Sequence, residues 1–399
     1  MSIYLLFIEY FISLSVGQLQ PPPASQDSEI KMNVTEIILY YNYPCENHLV
    51  TTEDGYILSL QRIPFGLKNN SLQSRPVVFL QHGLVDSSFT WVANGPDKSL
   101  GFVLADKGFD VWLSNTRGNV YSNSHIKYTT SDRNFWDFTW DDMVKYDLPA
   151  SINYVLTVTK AQKLGYIGHS QGTEIAFAKF SENSDLNSKV FGFVALAPVV
   201  YLGHLKTAIK YLAGLAGGLN LLANIFTNGE FLPNNELLTT MSTFVCGDQT
   251  ISILCGNLMF LLYGPGTANM NFTRIPIYLS HVPARTSWKN IVHYAQSHLT
   301  NEFQMYDYGF FENLVRYKQA FPPKYRLNTN GLPIAAIWAG ADWLSDPEDV
   351  SRALNELGDN VKFKKFIPEY NHVDVIWGTT ADVKVFPDVV NFLYKYAGQ

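Results

Sequence analysis

Residues 168–172 read Gly-His-Ser-Gln-Gly, a Gly-x-Ser-x-Gly pentapeptide centred on Ser170. The apolar residues 163–167 before it have the length of a buried strand, and residues 173–178 after it begin a helical pattern. A strand, a sharp turn and a helix form the setting in which a serine hydroxyl is presented as a nucleophile. The glycines fit such a turn because larger side chains would collide with the neighbouring strand or helix. The alternative is an ordinary glycine-bounded turn.

A serine at such a turn needs a histidine that takes its proton and an acid that orients the histidine. The expected chain order is serine, acid, histidine. Of the nine histidines, only His372 follows the last strand candidate, residues 362–367. We therefore expect His372 to be the base. A surface histidine, or one that serves only in packing, is the alternative.

The acid is expected on a loop that follows a strand between the serine and the histidine. Asp342 meets this condition because it comes directly after the apolar run at residues 334–339. Asp346 competes with it, but it precedes Pro347 and is typical of a helix N-cap. Asp374 is too close to His372 in sequence for the usual approach of the two side chains.

The negative charge that develops on a substrate carbonyl oxygen needs backbone N–H donors. One donor is expected at Gln171, the residue after the serine. The second is expected at Leu84, because residues 81–84 form a loop after the apolar run at residues 77–80. Gly83 in this loop would let the backbone approach the substrate closely. The alternative for the loop is an ordinary turn at the end of a strand.

These residues need a scaffold that brings strand ends together, and the chain shows one. Near-continuous apolar runs alternate with helical patterns, which predicts an α/β fold with a mostly parallel sheet covered by helices on both faces. An early hairpin is predicted at residues 51–60, with its turn at Asp54-Gly55. The strand candidates are residues 75–80, 109–113, 164–167, 191–197, 333–339 and 362–367, and the helix candidates are 100–107 and 141–158.

The alternation breaks between Ala197 and Pro333. A structureless loop of that length is uncommon in a compact domain. We therefore predict a core at residues 18–200 and 326–399, into which a mainly helical cap at residues 201–325 is inserted.

The N-terminal residues and the net charge indicate the compartment of the protein and the partners that it does not bind. Residues 1–17 are predicted to be a secretory signal peptide, although Glu9 interrupts the apolar run and Lys and Arg are missing from it. An N-terminal anchor is the alternative. Beyond residue 17 the sequence has no clean apolar stretch of about 18 residues, so the mature chain is expected to lack a transmembrane span. The net charge of −6 and the absence of a basic run give no sign of nucleic-acid binding.

Further patterns concern the secretory route and metal sites. Three sequons, at Asn33, Asn69 and Asn271, suggest glycosylation. The sequence has three cysteines, so at least one is unpaired or paired externally. Cys246 and Cys255 are close enough in sequence to close a small loop, and the alternative is that these two and Cys45 are buried thiols. The His-Glu-x-x-His and paired Cys-x-x-Cys patterns are missing, so no metal and no cofactor are predicted.

Taken together, the motifs resemble those of a known family, the animal acid lipases, which include gastric lipase and lysosomal acid lipase. The similarity runs from about residue 32 to residue 396. Its motifs are the serine pentapeptide with Thr173 and the segments at residues 33–38, 52–58, 77–84, 104–113, 116–119, 145–152 and 371–378.

The resemblance implies an α/β-hydrolase core with a lid in the cap, and hydrolysis of triacylglycerols and, in some members, sterol esters. It implies a secreted or lysosomal enzyme that acts on lipid esters at an oil–water or membrane interface without a cofactor. It assigns Ser170, Asp342 and His372 as the catalytic triad, Leu84 and Gln171 as oxyanion donors, and Cys246–Cys255 as a disulfide. Cys45 has no counterpart in the family, and residues 203–224 match it poorly.

Two other functions are compatible with parts of the pattern. The same residues would serve a steryl or small-ester esterase. A non-catalytic lipid-binding protein on this scaffold is disfavoured, because such relatives usually lose the nucleophile or the histidine and both are present here. The sequence leaves the oligomeric state open.

Overall fold

A computed structural model describes residues 28–68, 74–182, 185–207, 228–232, 264–265 and 269–398. The strands of these residues are β1 Glu46–Thr51, β2 Tyr56–Ile63, β3 Val77–Gln81, β4 Asp110–Leu113, β5 Ser124–His125, β6 Leu164–His169, β7 Val190–Leu196, β8 Glu230–Phe231, β9 Thr286–Ser287, β10 Ile334–Ala339 and β11 Val361–Ile367.

One sheet holds nine of the described strands, in the order β1-β2-β4-β3-β6-β7-β10-β11, with β5 paired to β2. The pairs β1–β2, β2–β4 and β2–β5 are antiparallel. Every pair from β4 to β11 is parallel. The mostly parallel sheet and the hairpin at its edge confirm the fold predicted from the apolar runs. Strands β8 and β9 form a separate antiparallel pair.

Helices cover both faces of the sheet. They are α1 Val34–Tyr40, α2 Leu100–Asp106, α3 Trp140–Asp142, α4 Leu148–Thr159, α5 Gln171–Ser181, α6 Ile275–His281, α7 Trp288–Thr300, α8 Phe310–Tyr317, α9 Pro347–Leu357, α10 Asp374–Trp377, α11 Ala381–Lys384 and α12 Phe386–Ala397, with a π-helical segment Met143–Asp147 between α3 and α4. Helices α1, α2, α6 and α12 pack in one apolar cluster. Helices α4, α5 and α9 pack in the other.

The strand that leads to the serine shows why both faces must be covered. Tyr166 and Ile167 are adjacent in β6 and point to opposite faces, and both are fully buried. A strand buried on both faces reads as a continuous apolar run, which is the pattern seen in the sequence. Truncating such a side chain to alanine typically costs about 2–5 kcal/mol.

A buried ion cluster joins the hairpin, the loop after β4 and the π-helical segment. Arg117 is 1% exposed and donates to Asp147 at 2.6 and 2.8 Å and to Asp54 at 2.6 and 3.0 Å. Its guanidinium lies 4.0 Å from the centroid of the Tyr56 ring. Removing one partner of such a cluster is costly because it leaves a buried charge uncompensated.

The described part of the predicted cap, residues 201–325, contains α6, α7, α8, β8 and β9. Residues 1–17, Asn69, Cys246 and Cys255 lie outside the described residues, so the predicted signal peptide, one sequon and the disulfide stay predictions. Cys45 is a partly buried free thiol. No helix of the described ranges is long and apolar enough to cross a membrane.

Helix α8 presents an apolar face to solvent. Phe311 is 82% exposed and Val315 63%, and Phe310 and Leu314 beside them are 57% and 41% exposed. The other side of the helix is held to the protein by Asn313, which is 1% exposed and donates to Asp307 and to the Ala320 carbonyl. Contiguous exposed apolar side chains are unusual on a soluble protein and mark an interaction surface.

Candidate active site

Ser170 lies between the last residue of β6 and the first residue of α5. Its backbone has φ 54° and ψ −120°, a combination that costs free energy for a residue with a side chain. The turn is held by the backbone, because the Ser170 N–H donates to the Leu196 carbonyl at 3.1 Å and its own carbonyl accepts from Thr173 at 2.8 Å. The strand–turn–helix arrangement predicted from the pentapeptide is therefore present.

Close backbone contacts explain the glycines around this turn. A Cβ atom on Gly172 would lie 2.3 Å from the Gln81 carbonyl oxygen, and one on Gly168 would lie 2.7 Å from the backbone of Gly172. A Cβ atom on Gly83 would lie 3.0 Å from the Ser170 Cβ atom. Strand β3 and the loop after it thus press directly against the serine turn.

His372 and Asp342 are brought together by the neighbouring strands β10 and β11. The His372 Nδ1 atom lies 2.8 Å from Asp342 Oδ2, and the two residues are each 1% exposed. The other oxygen, Asp342 Oδ1, accepts from the backbone N–H groups of Leu344 and Ser345, both at 2.8 Å. These bonds fix the carboxylate and aim one oxygen at the imidazole.

Asp346, the competing acid, serves another purpose. It is the N-cap of α9, where its side chain accepts from the Glu348 N–H at 3.0 Å. Its Oδ2 atom lies 2.6 Å from Lys206 Nζ. Asp374 accepts from the Asn371 N–H at 2.9 Å and so shapes the loop that carries His372.

The histidine of the pentapeptide has a role that the sequence did not reveal. His169 Nε2 lies 3.0 Å from the His372 carbonyl oxygen, so this nitrogen carries the proton and donates it to the loop of the candidate base. Burial, together with the neighbouring His372, lowers the pKa of His169 to about 3, which keeps it neutral. The position of His169 beside the serine is visible in the sequence. Its hydrogen-bond partner, the His372 carbonyl, is set by the fold.

The loop after β3 is fixed from both sides. His82 Nε2 accepts from the Thr116 N–H at 3.1 Å, so Nδ1 carries the proton that it donates to the Gly83 carbonyl at 2.8 Å. Burial lowers the pKa of His82 to about 4. The Val85 carbonyl accepts at 2.6 Å from the N–H of Ala284, a residue of the predicted cap. Val85 itself has φ 51°, a strained value for a β-branched residue.

The predicted oxyanion donors belong to the loop after β3 and to the first residue of α5. Leu84 belongs to this fixed loop and lines the same cavity as Ser170. Gln171 is the first residue of α5, where backbone N–H groups have no partner within the helix and the helix dipole favours negative charge. The Gln171 side chain is held in place, since its Nε2 atom donates to Asn290 Oδ1 of α7 at 3.3 Å.

A cavity of about 70 Å³ is lined by three of the five candidate residues, and Asp342 and Gln171 are not among its lining residues. Its walls are mostly apolar, with a few polar side chains, which is the character of a site for an apolar substrate with a polar reacting group. The lining residues are Gly83, Leu84, Val85, Asp86, His169, Ser170, Leu344, His372, Val373 and Trp377. Sequence reasoning found Leu84, Ser170 and His372, but it gave no role to His169 or Asp86.

The described sequons sit at helix starts. Asn33 Oδ1 accepts from the Glu36 N–H in a capping box, and Asn271 Oδ1 accepts from the Thr273 N–H. Both caps use the side-chain oxygen, whereas a glycan would be linked to the nitrogen. Within the described ranges, no cluster of His, Cys, Asp or Glu is arranged to hold a metal ion.

Comparison with known proteins places the sequence in a family. The model of the alpha/beta hydrolase fold matches residues 76–379, and that of the partial alpha/beta-hydrolase lipase region matches residues 34–95. Human lysosomal acid lipase/cholesteryl ester hydrolase is 43% identical over 373 residues, 93% of this chain and 92% of that protein. Human gastric triacylglycerol lipase is 42% identical, over 92% of each chain.

Among solved structures, a soluble variant of monoglyceride lipase from Saccharomyces cerevisiae is similar in fold. It has a TM-score of 0.51 and 15% sequence identity, and the match covers 89% of this chain and 98% of that one. The sheet order, the serine turn and these similarities agree. The chain belongs to the α/β-hydrolase fold family and, within it, to the animal acid lipases.

Proposed function

We propose that this protein is a lipase of the secretory pathway that hydrolyses carboxylic esters of neutral lipids through an acyl-enzyme on Ser170. The observation that carries the proposal is that Ser170 and His372 line one cavity and that His372 is hydrogen-bonded to Asp342. The names of the human relatives, lysosomal acid lipase/cholesteryl ester hydrolase and gastric triacylglycerol lipase, support the substrate class and the compartment.

The reaction would proceed in two acyl transfers. The Ser170 Oγ atom attacks the ester carbonyl carbon while His372 Nε2 takes the hydroxyl proton, and the N–H groups of Leu84 and Gln171 hold the oxyanion. The tetrahedral intermediate collapses, the C–O bond to the alcohol breaks, and His372 returns its proton to the leaving oxygen. Water then attacks the acyl-enzyme with the same base and releases the fatty acid and Ser170.

Asp342 has a defined part in this scheme. Because its Oδ2 atom is bonded to His372 Nδ1, Nε2 is the nitrogen that faces the reaction, and the carboxylate stabilises the imidazolium that forms. The two backbone N–H groups on Oδ1 keep the carboxylate in place through each turnover.

The partner would be a lipid aggregate rather than a dissolved molecule. Neutral lipid esters are insoluble in water, so the enzyme must meet them at an oil–water or membrane surface. The exposed apolar face of α8 suits such contact, and Lys318 directly after the helix is exposed and offers a positive charge at its edge.

The experiment compares the parent protein with Ser170→Ala on emulsified triolein, cholesteryl oleate and 4-nitrophenyl butyrate, at acidic and neutral pH. We expect the variant to lose about 10⁴-fold or more of the activity and to lose labelling by a fluorophosphonate probe. Ser280→Ala is the matched control, because Ser280 hydrogen-bonds to Ile277 and His281 within α6 and is not a lining residue of the cavity. Undiminished activity of Ser170→Ala would refute the proposal.

The same panel separates the substrate candidates. Turnover of cholesteryl oleate by the parent protein would indicate a steryl esterase. The name of the human lysosomal relative, which includes cholesteryl ester hydrolase, supports this alternative. Turnover of the soluble ester alone would favour a small-ester esterase. An inactive parent protein that binds lipid and is not labelled would point to the non-catalytic alternative.

A further inference from the structure

Asp86 is a buried carboxyl group on the wall of the cavity that holds Ser170. It is 7% exposed and lies two residues after Leu84, in the loop that would supply an oxyanion donor. The mechanism proposed above does not use it. A carboxylate that lines the same cavity as Ser170 would oppose a negative charge that develops there, so its presence needs a physical account.

The contacts of Asp86 hold the loop together. Its Oδ1 atom accepts from the Ser87 N–H at 2.7 Å. Against the larger effect of burial, which raises the pKa of Asp86, hydrogen bonding from the Thr90 hydroxyl and the Gly83 N–H lowers it. A neutral carboxylic acid keeps acceptor capacity for such bonds. The loop can therefore keep its shape when Asp86 is protonated.

Among the described residues, Asp86 forms no ion pair with a Lys or Arg side chain that would compensate its negative charge. The titratable groups that face the cavity are His169 and His372, with His82 at the base of the loop and Asp342 behind His372. His82 and His169 are kept neutral by burial, and the remaining neighbours are apolar or, like Asn119, uncharged.

We propose that Asp86 sets the upper pH limit of catalysis at the oxyanion hole, since its neutral form tolerates the oxyanion and its carboxylate form opposes it. Burial raises the pKa of Asp86 to about 7, which supports the proposal. Below that pH the group is neutral and the oxyanion meets only N–H donors. As the pH rises through about 7, a negative charge enters the cavity and the transition state loses stability.

This inference rests on the proposed function of Ser170 and names a further residue that acts on its chemistry. The experiment measures kcat/KM on soluble 4-nitrophenyl butyrate from pH 5 to pH 9 for the parent protein, Asp86→Asn and Asp86→Ala. The readout is the ratio of kcat/KM at pH 8 to that at pH 6. We expect this ratio to rise about tenfold in both variants, which is about 1.4 kcal/mol of transition-state stabilisation.

Asp141→Asn is the matched control. Asp141 is also a buried carboxyl group whose pKa is raised, to about 6, by burial, but it lies away from the cavity and accepts from Tyr306 and Tyr325. We expect its variant to keep the parent ratio. Two different replacements at Asp86 are used, the isosteric Asn and the smaller Ala, so that the test survives if one variant does not fold. Thermal unfolding shows whether each variant is folded.

Two results would overturn the inference. One is an unchanged ratio in both Asp86 variants, and the other is an equal rise in Asp141→Asn. A purely structural role of Asp86 would lower kcat/KM by the same factor at every pH. Failure of the proposed function looks different, because the parent protein would then show no Ser170-dependent hydrolysis at any pH.

Discussion

Asp342 divides its two oxygens between the backbone and the imidazole. Oδ1 accepts from Leu344 and Ser345, and Oδ2 from His372. The residue is therefore fixed before any substrate arrives, which is what electrostatic preorganisation requires. Because each oxygen has a different partner, the nearly isosteric substitution of Asp342 by Asn tests the contact with His372 separately from the backbone contacts.

Asp342→Asn is expected to lower kcat about 10³- to 10⁴-fold while the fold is retained. The amide oxygen can keep the two backbone bonds, but the amide nitrogen then points its protons at His372 Nδ1. The ring must accept there and carry its proton on Nε2, which is the wrong tautomer for a base. The measurement is kcat on a soluble ester, with thermal unfolding alongside.

Asp346→Asn serves as the control for that substitution. An asparagine oxygen can still cap α9 by accepting from Glu348, so activity should stay near that of the parent protein. Comparable losses in the two variants would contradict the assignment of the acid to Asp342.

The sequence predicted the candidate site residues from chemistry and strand ends. The serine and the acid each follow an apolar strand and the histidine follows an alternating one, so their approximate meeting place follows from a parallel sheet. The parts of His169 and Asp86 could not be predicted in this way. They depend on a carbonyl of a residue 203 positions away and on the enclosure of a cavity, neither of which leaves a local pattern.

At the scale of elements, the serine turn depends on how closely β3 and α5 approach each other. Gly172→Ala would place a methyl group 2.3 Å from the Gln81 carbonyl oxygen. Relieving that overlap must separate the two elements, at a typical cost of about 1–3 kcal/mol, and it displaces Ser170. We expect lower stability in urea unfolding together with reduced kcat/KM.

The control for this change is Gly398→Ala, the same substitution where a Cβ atom would meet nothing within 4 Å. Its stability and activity should match those of the parent protein. A Gly172→Ala variant that is equally stable would show that the two elements are not in close contact in solution.

The strands and helices were easier to predict from the sequence than the irregular segments within them. The strands at residues 164–167 and 333–339 were found within one or two positions of the observed bounds, because buried strands leave continuous apolar runs. The helix predicted at residues 141–158 contains the π-helical segment Met143–Asp147. Such a segment changes the hydrogen-bond register without changing composition, and here it carries Asp147, a partner of Arg117.

For the molecule as a whole, the exposed apolar face of α8 predicts that hydrolysis of aggregated substrates depends on this face and hydrolysis of dissolved substrates does not. Replacing Phe311 and Val315 by Ser removes apolar area that would otherwise leave water at a lipid surface. We expect hydrolysis of emulsified triolein to fall about tenfold or more, and hydrolysis of 4-nitrophenyl butyrate to stay near the parent rate.

Leu49→Ser is the control for this pair, since Leu49 is 67% exposed on the edge strand β1 and does not belong to α8. It should leave both activities near the parent values. An equal loss on both substrates in the α8 variant would mean that the helix supports the fold rather than contact with lipid.

The strand order has a consequence for how activity arises during biosynthesis. Strand β7 pairs with β10, although residues 197–333 separate them, and His372 follows one strand later still. Closing so long a loop delays the pairing, and such non-local contacts slow folding. A growing chain thus carries its serine long before its base, so we expect a chain released before residue 372 to be catalytically silent. Esterase activity would then report a chain that extends past residue 372 and has paired β7 with β10.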